Sequence, residues 1–240
     1  MEKKIFVFDL DDTLIDTDYK FELTFCDCIK TILLSFETRA PQIDEVLDAA
    51  RALDNHKLAT YPVETRYQPQ RLYDTWLETY ALLCEKHGLK PKAHVKQQLK
   101  GLIGQNFDAP WYIIPGAEET LEKLKDLPDV ELHVLTVGDV QVQQRKLQST
   151  QLIRFFKHVQ VTTADKQAYL EQLAKEFGAG NVTMIGNSLK SDINPALRAG
   201  VNVVHIPRGN WHHAYEEPET EFTTVRDIRD LVKALEQTTN

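Results

Sequence analysis

The sequence predicts an α/β protein whose parallel-sheet core is interrupted, just after its first strand, by an all-helical insert. Three observations carry this reading. Residues 4–9 (Lys-Ile-Phe-Val-Phe-Asp) form a short apolar run that turns acidic, as a buried strand does on reaching a loop. From about residue 16 to residue 107 the apolar residues recur only at helical spacing. After Pro110, strand and helix patterns alternate, which implies parallel pairing through right-handed crossovers.

The elements follow in order. In the insert, Phe21, Phe25, Ile29, Ile32, Leu33 and Phe36 repeat at helical spacing, as do Ile43, Val46, Leu47 and Ala50. A third helix carries Leu72, Trp76, Tyr80, Leu83 and His87, and is stopped by Gly88. A fourth opens at Pro91 and carries Val95, Leu99, Leu102 and Ile103 up to Gly104. Such a stretch predicts a small helical bundle. Then helix 117–127 precedes strand 131–136, helix 139–149 precedes strand 158–162, and helix 165–178 precedes strand 182–186. Helix 189–199 leads to strand 201–206, residues 207–222 read as a loop, and 226–236 as a last helix. Gly178 and Gly200 stand where helix C-caps are expected. The expected division is a core of 1–15 with 111–240, and a helical module of 16–110.

Composition narrows the function. The chain has 240 residues, 42% of them hydrophobic, enough to bury a sizeable core. With 28 basic against 36 acidic residues the formal charge is −8, which argues against a broad nucleic-acid or anionic-membrane face. A small anionic substrate stays open, because a few placed cations or one metal ion reverse the sign locally. The apolar run after Met1-Glu2-Lys3-Lys4 is too short for a signal peptide, and no run is long enough to cross a bilayer. Cys26, Cys28 and Cys84 argue against a disulfide framework and point to a reducing cytoplasm. Cys26 and Cys28, two apart on a helix, do not share a face and read as packing residues rather than metal ligands.

Ligands of open parallel sheets collect at the carboxyl ends of the strands. There the chain carries Asp9-Leu10-Asp11-Asp12-Thr13, then Thr136-Val137-Gly138-Asp139, then Thr163-Ala164-Asp165-Lys166, then Gly186-Asn187-Ser188 with Asp192 in the following turn. Asp9, Asp11 and Asp192 would crowd like charges, a conflict that a hard divalent cation with oxygen ligands, Mg²⁺, removes. A hydroxyl, a lysine and backbone amides in the same crevice make the complementary anion site. Metal beside anion site is the arrangement phosphoryl transfer requires.

Phe8-Asp9-Leu10-Asp11-Asp12-Thr13-Leu14 resembles the first motif of the haloacid dehalogenase-like (HAD) hydrolase superfamily. Thr136, Lys166 and the segment Gly186–Asp192 match its second, third and fourth motifs in the correct order. Tyr112-Ile-Ile-Pro115-Gly116 ahead of a helix is similar to its re-entry into the core, and an insert after the first motif to its type C1 helical cap. The resemblance implies a Rossmann-like sheet and a phosphatase mechanism. Asp9 would be the nucleophile, forming an aspartyl-phosphate, and Asp11 the general acid and base. Thr136 and Lys166 would bind the phosphoryl group together with backbone amides of the loop at Val137. Mg²⁺ would be held by the Asp9 side chain, the Asp11 carbonyl, Asn187 and Asp192, while Thr13 braces the first loop. Where the family usually has an acid after the glycine of its fourth motif, this chain has Asn187, whose amide oxygen ligates without charge. Asp11 favours a phosphatase over a dehalogenase, because an alkoxide leaving group needs a proton and a halide does not. Phosphomutase, dehalogenase, or a catalytically weak phospho-ligand-binding regulator remain as alternatives. The expected partner is a small phosphorylated substrate, with no nucleic acid and no membrane; the sequence assigns neither the substrate nor an oligomeric state.

The insert is expected to exclude water and read the leaving group. Its segment Asn55–Gln70 reads as non-helical and holds His56, Lys57, Tyr61, Arg66 and Tyr67, close to Arg71. The plainer reading, solvated charges and packed rings, is preferred for these. Adjacent His212 and His213, after Trp211, read as unliganded loop residues.

Overall fold

The computed structural model describes residues 3–209, 217 and 220–238, with the side chains of 236–238 excepted. The chain divides into two compact units, Met1–Asp18 with Pro110–Asn240, and Tyr19–Ala109.

The first unit is built on a six-stranded sheet in which every pairing is parallel. Its strands are β1 (Lys4–Phe8), β4 (Val130–Val137), β5 (His158–Thr162), β6 (Val182–Gly186), β7 (Asn202–His205) and β8 (Thr223–Thr224), ordered β5-β4-β1-β6-β7-β8. The order reverses at β1, so the crevice outside the carboxyl ends opens around that strand. Alternation along β1 feeds two cores. Phe6 and Phe8 join Leu132 and Val134 against α5 (Ala117–Lys125), α6 (Val140–Ser149) and α9 (Leu231–Thr238). Ile5 and Val7 join Leu135 and Met184 against α7 (Gln167–Phe177) and α8 (Asn194–Arg198). This period-two burial on both faces is why the strands read as near-continuous apolar runs.

Three features depart from the sequence expectation. A short antiparallel pair, β2 (Ile15–Asp16) with β3 (Tyr112–Ile113), lies where the chain leaves and re-enters this unit. Residues 189–199 are not one helix but a π turn, Leu189–Ile193, followed by α8; Pro195 in its first turn lacks the N–H that a continuous helix would need. Beyond Ile206 the expected loop ends in β8, and the expected last helix begins as a single 3₁₀ turn, Ile228–Asp230, before α9.

The second unit contains α1 (Asp18–Ser35, whose first residue belongs to the core unit), α2 (Ile43–Thr60), α3 (Pro69–Lys86) and α4 (Ala93–Gly104). Helical spacing buries Cys28 and Ile32, then Val46 and Ala50, then Leu72, Trp76, Tyr80 and Leu83, then Val95, Leu99 and Ile103. Ile43, read as part of the apolar face, is 55% exposed in the first turn of α2. Cys28 is buried and Cys26 exposed, as two positions on opposite sides of one helix must be.

The expected non-helical stretch 55–70 is shorter than the sequence indicated. α2 continues to Thr60, and Tyr61 is extended (φ −66°, ψ 145°) because it precedes Pro62. Lys57 is therefore a helical residue, buried and bonded to both carboxylate oxygens of Glu78 at 2.8 Å. The Tyr61 hydroxyl donates to Asp74 at 2.9 Å, and the Arg71 guanidinium donates to Asp54. These groups are spent on holding α2 and α3 together. Trp211, His212 and His213 lie outside the described residues.

Candidate active site

The first loop is shaped by Asp12, not by a glycine. Asp12 sits at φ +59°, a left-handed conformation that Asp tolerates because its side chain bonds locally. Its Oδ1 accepts from the amides of Thr17 (2.9 Å) and Asp18 (2.8 Å), while the amides of Leu14 and Ile15 both donate to the Leu10 carbonyl at 3.0 Å. Burial pushes the Asp12 carboxyl up to about 6, against those amide bonds. Asp12 is thus the brace of the turn that presents Asp9 and Asp11.

Two clusters result. Asp9 follows β1 directly, and its amide donates to the Ile185 carbonyl of β6 at 2.9 Å. Lys166, just ahead of α7 and 1% exposed, donates to Asp9 Oδ1 and to Asp192 Oδ1, each at 2.6 Å. The second oxygen of Asp192 accepts the Ser188 amide at 2.8 Å, which fixes the carboxylate across the π turn. Its side chain lies so close over Gly186 that a Cβ there would collide with it, so this position demands glycine. Burial drives the Asp9 carboxyl upward; Lys166 opposes this, and the charges of Asp192 and Asp11 add to it. Burial alone would lower the Lys166 ammonium, but Asp192 and Asp9 outweigh it and hold it charged.

Asp11 heads the second cluster. Lys146 Nζ donates to its Oδ1 at 2.6 Å, and Gln143 Nε2 donates to its Oδ2 at 2.8 Å. The same Gln143 amide donates to Thr136 Oγ1 at 2.7 Å, so the ends of β1 and β4 are tied through one side chain. Val137 closes β4, with its carbonyl 3.4 Å from Gln143 Nε2 and the Gly138 amide committed to the Thr162 carbonyl. The Asn187 side chain is engaged with other loops instead. Its Oδ1 accepts from Thr13 Oγ1 at 3.3 Å, and its Nδ2 donates to the Arg208 carbonyl at 2.9 Å.

The residues singled out from the sequence, Asp9, Asp11, Thr136, Val137, Lys166, Asn187 and Asp192, therefore all stand at the carboxyl ends of β1, β4 and β6 or ahead of α7. Gln143 and Lys146 were not anticipated. Their signal was present: with Val142 and Leu147 they occupy the buried face of α6, where polar side chains need a reason to be. The lysines also revise the electrostatics, since two ammonium groups already partner the three carboxylates that the sequence left in conflict. The metal-ligating atoms these residues offer are hard oxygens, from the carboxylates and the Asn187 amide. Asp9 stays strained upward even with Lys166 in place. That donor set and that residual conflict suit a small divalent cation such as Mg²⁺.

A fold and site of this kind define a hydrolase class, and the comparisons say which. The model of the haloacid dehalogenase-like hydrolase family matches residues 3–200, so the chain belongs to that family. A glyceraldehyde 3-phosphate phosphatase of Pyrococcus abyssi is 25% identical over 97% of this chain and 94% of its own. Among solved structures, a haloacid dehalogenase-like family hydrolase from Xanthomonas campestris aligns with TM-score 0.74 and 24% identity over 99% of this chain and 96% of that one. An L-2-haloacid dehalogenase from Xanthobacter autotrophicus aligns with TM-score 0.60 and 16% identity, over 98% of each chain.

Proposed function

We propose that this hydrolase cleaves a small phosphate monoester in two steps through an aspartyl-phosphate on Asp9. The observation that carries the reading is Asp11: an acid two residues beyond the nucleophile position, on the same loop, with its own two-point anchorage. Phosphate-ester cleavage needs a proton at the leaving oxygen, and such help is typically worth about 10²–10⁴ in rate. Asp9 attacks phosphorus, the ester P–O bond breaks, and Asp11 gives its proton to the departing oxygen. Water then attacks the aspartyl-phosphate, Asp11 takes the proton back, and Asp9 leaves as carboxylate. Lys166, on Asp9, offsets the repulsion between that carboxylate and an anionic substrate, and Thr136 donates its hydroxyl to a phosphoryl oxygen.

The anchorage of Asp11 adds a condition. Held by Gln143 and Lys146, both of its oxygens accept hydrogen bonds, so a proton on Asp11 has no acceptor there. Donation requires the side chain to turn out of the clamp toward the leaving group. Mg²⁺ would be held by the Asp9 side chain, the Asp11 carbonyl, Asn187 and Asp192, and would supply charge stabilisation at the phosphoryl oxygens. The helical unit Tyr19–Ala109 is proposed as the family's cap module. The named activity of the Pyrococcus relative supports a triose-sized phosphate as the first substrate to try.

The test is hydrolysis of para-nitrophenyl phosphate and glyceraldehyde 3-phosphate with Mg²⁺, with EDTA, and with Asp9→Asn. Turnover that needs the metal and vanishes in the variant is expected. Metal-insensitive turnover surviving Asp9→Asn would overturn the mechanism, and halide release from a 2-haloacid in place of phosphate would move the protein to the dehalogenases.

A further inference from the structure

A second cluster of ligating side chains lies away from the crevice, toward the opposite ends of the strands. Glu131 and His133 sit two apart on β4 and so share a face, and His158 opens β5 directly opposite His133 in the parallel register. One ligand atom from each of the three lies within 4.8 Å of the others. His133 is three strand residues, about 10 Å, from Thr136 and points to the other face of the sheet.

The imidazole of His133 is the anomaly. It is 2% exposed, and among the described residues neither ring nitrogen has a hydrogen-bond partner. Buried polar groups in folded proteins are almost always satisfied, so an orphaned ring calls for an explanation. Its Nε2 is 3.6 Å from Glu131 Oε2, beyond a hydrogen bond, and its ring stands 4.7 Å from that of His158. The usual explanation for a partly buried carboxylate, a lysine partner, accounts for the other oxygen only. Lys3 (2.5 Å) and Lys157 (2.9 Å) both bind Glu131 Oε1, leaving Oε2 turned toward the imidazole.

We propose that Glu131, His133 and His158 form a site for a borderline divalent transition metal of the Zn²⁺ type, distinct from the carboxylate crevice. Two imidazoles and one carboxylate are the donors such ions take, whereas Mg²⁺ prefers oxygen alone. His158 is exposed, which leaves a fourth position open to water. Lys3 and Lys157 are solvent-exposed and screened, so their charge weakens the site without closing it. A metal here pins the edge strand β5 to β4.

The experiment is a titration of chelator-stripped full-length protein with Co²⁺, followed by visible d–d absorption, and with Zn²⁺ against a chromophoric chelator. His158→Ala and Glu131→Gln are compared with wild type, and Asp9→Asn reports any metal taken by the crevice. His158 is exposed, so its variant is expected to fold, and circular dichroism checks this. One equivalent is expected in wild type and in Asp9→Asn, with a thermal shift on binding. Loss of a ligand in His158→Ala or Glu131→Gln should weaken binding by roughly tenfold or more, at least the effect of disturbing an outer-shell partner. No bound equivalent in wild type, or binding unchanged by His158→Ala and abolished by Asp9→Asn, overturns the site. No hydrolysis is read, so the result stands apart from that of the phosphatase assay.

Discussion

Lys166 shows how much one side chain carries. It is almost completely enclosed and meets two carboxylates at 2.6 Å each, so its removal leaves buried negative charge without a partner. Breaking a buried pair from one side typically costs about 3–5 kcal/mol. The sign with pH follows from Asp9, whose folded-state pKa lies above the ordinary 3.8. Between 3.8 and about 7 the folded chain binds more protons than the unfolded one, so rising pH lowers stability across that window. Lys166→Met widens the window. Its destabilisation, measured by urea unfolding in EDTA, should be larger near about pH 8 than near about pH 5; a gap that does not change with pH would show that Lys166 does not neutralise the pair. At this scale the placement of the candidate site was largely legible, because Asp9, Asp11, Thr136, Lys166 and Asp192 are set by the turns in which they stand. Asn187 was legible as a departure, but its bonds to Thr13 and the Arg208 carbonyl were not, since both partners come from other loops.

Among the elements, α6 does more than cross over between strands. Its buried face presents Gln143 and Lys146 to Asp11, and Asp139 caps its start by accepting from the Val142 amide at 3.0 Å. In the proposed mechanism, Lys146 positions Asp11 through its 2.6 Å bond. For Lys146→Met we expect kcat to fall by about tenfold or more, a part of the 10²–10⁴ that acid–base help supplies, with KM little changed and partial rescue in Lys146→Arg. An equal loss in both variants with a matching fall in thermal stability would mean that Lys146 only packs. The π turn after β6 is the counterpart on the other side of the crevice. Ser188 caps this turn, taking the Ser191 amide on its hydroxyl and giving its own amide to Asp192. Hydrophobic spacing alone reads the π turn and α8 as one helix, because both bury the same apolar face through Ile193 and Ala196.

Over the whole molecule, charge balance sets how the fold responds to acid. Glu131 is held near 2 against an ordinary 4.5, so its contribution is present above 4.5 and is lost as pH falls from there toward 2. Asp12 works in the opposite sense: raised to about 6, it lowers stability as pH rises from 3.8 through 6. The difference between wild type and Glu131→Gln in EDTA isolates the first effect. It should be on the order of 1 kcal/mol near neutral pH, discounted because Lys3 and Lys157 are exposed, and should shrink steadily toward about pH 3. A difference that grows on acidification would contradict the assignment. What the sequence by itself determined is what short-range physics encodes: the strand-to-loop transitions, the alternation that makes the sheet parallel, the helical insert, and the acids, hydroxyl and lysine at the strand ends. Period and turn chemistry act within a few residues, so they survive in one dimension. Only the tertiary structure decided which of these groups meet. With β1 between β4 and β6, Lys166 reaches Asp9 across 157 positions, and Lys146 reaches Asp11 across 135. With β5 at the edge beside β4, His158 stands against His133. Strand order is settled by burying both faces of the sheet at once, a property of the folded whole that no local stretch of chain contains.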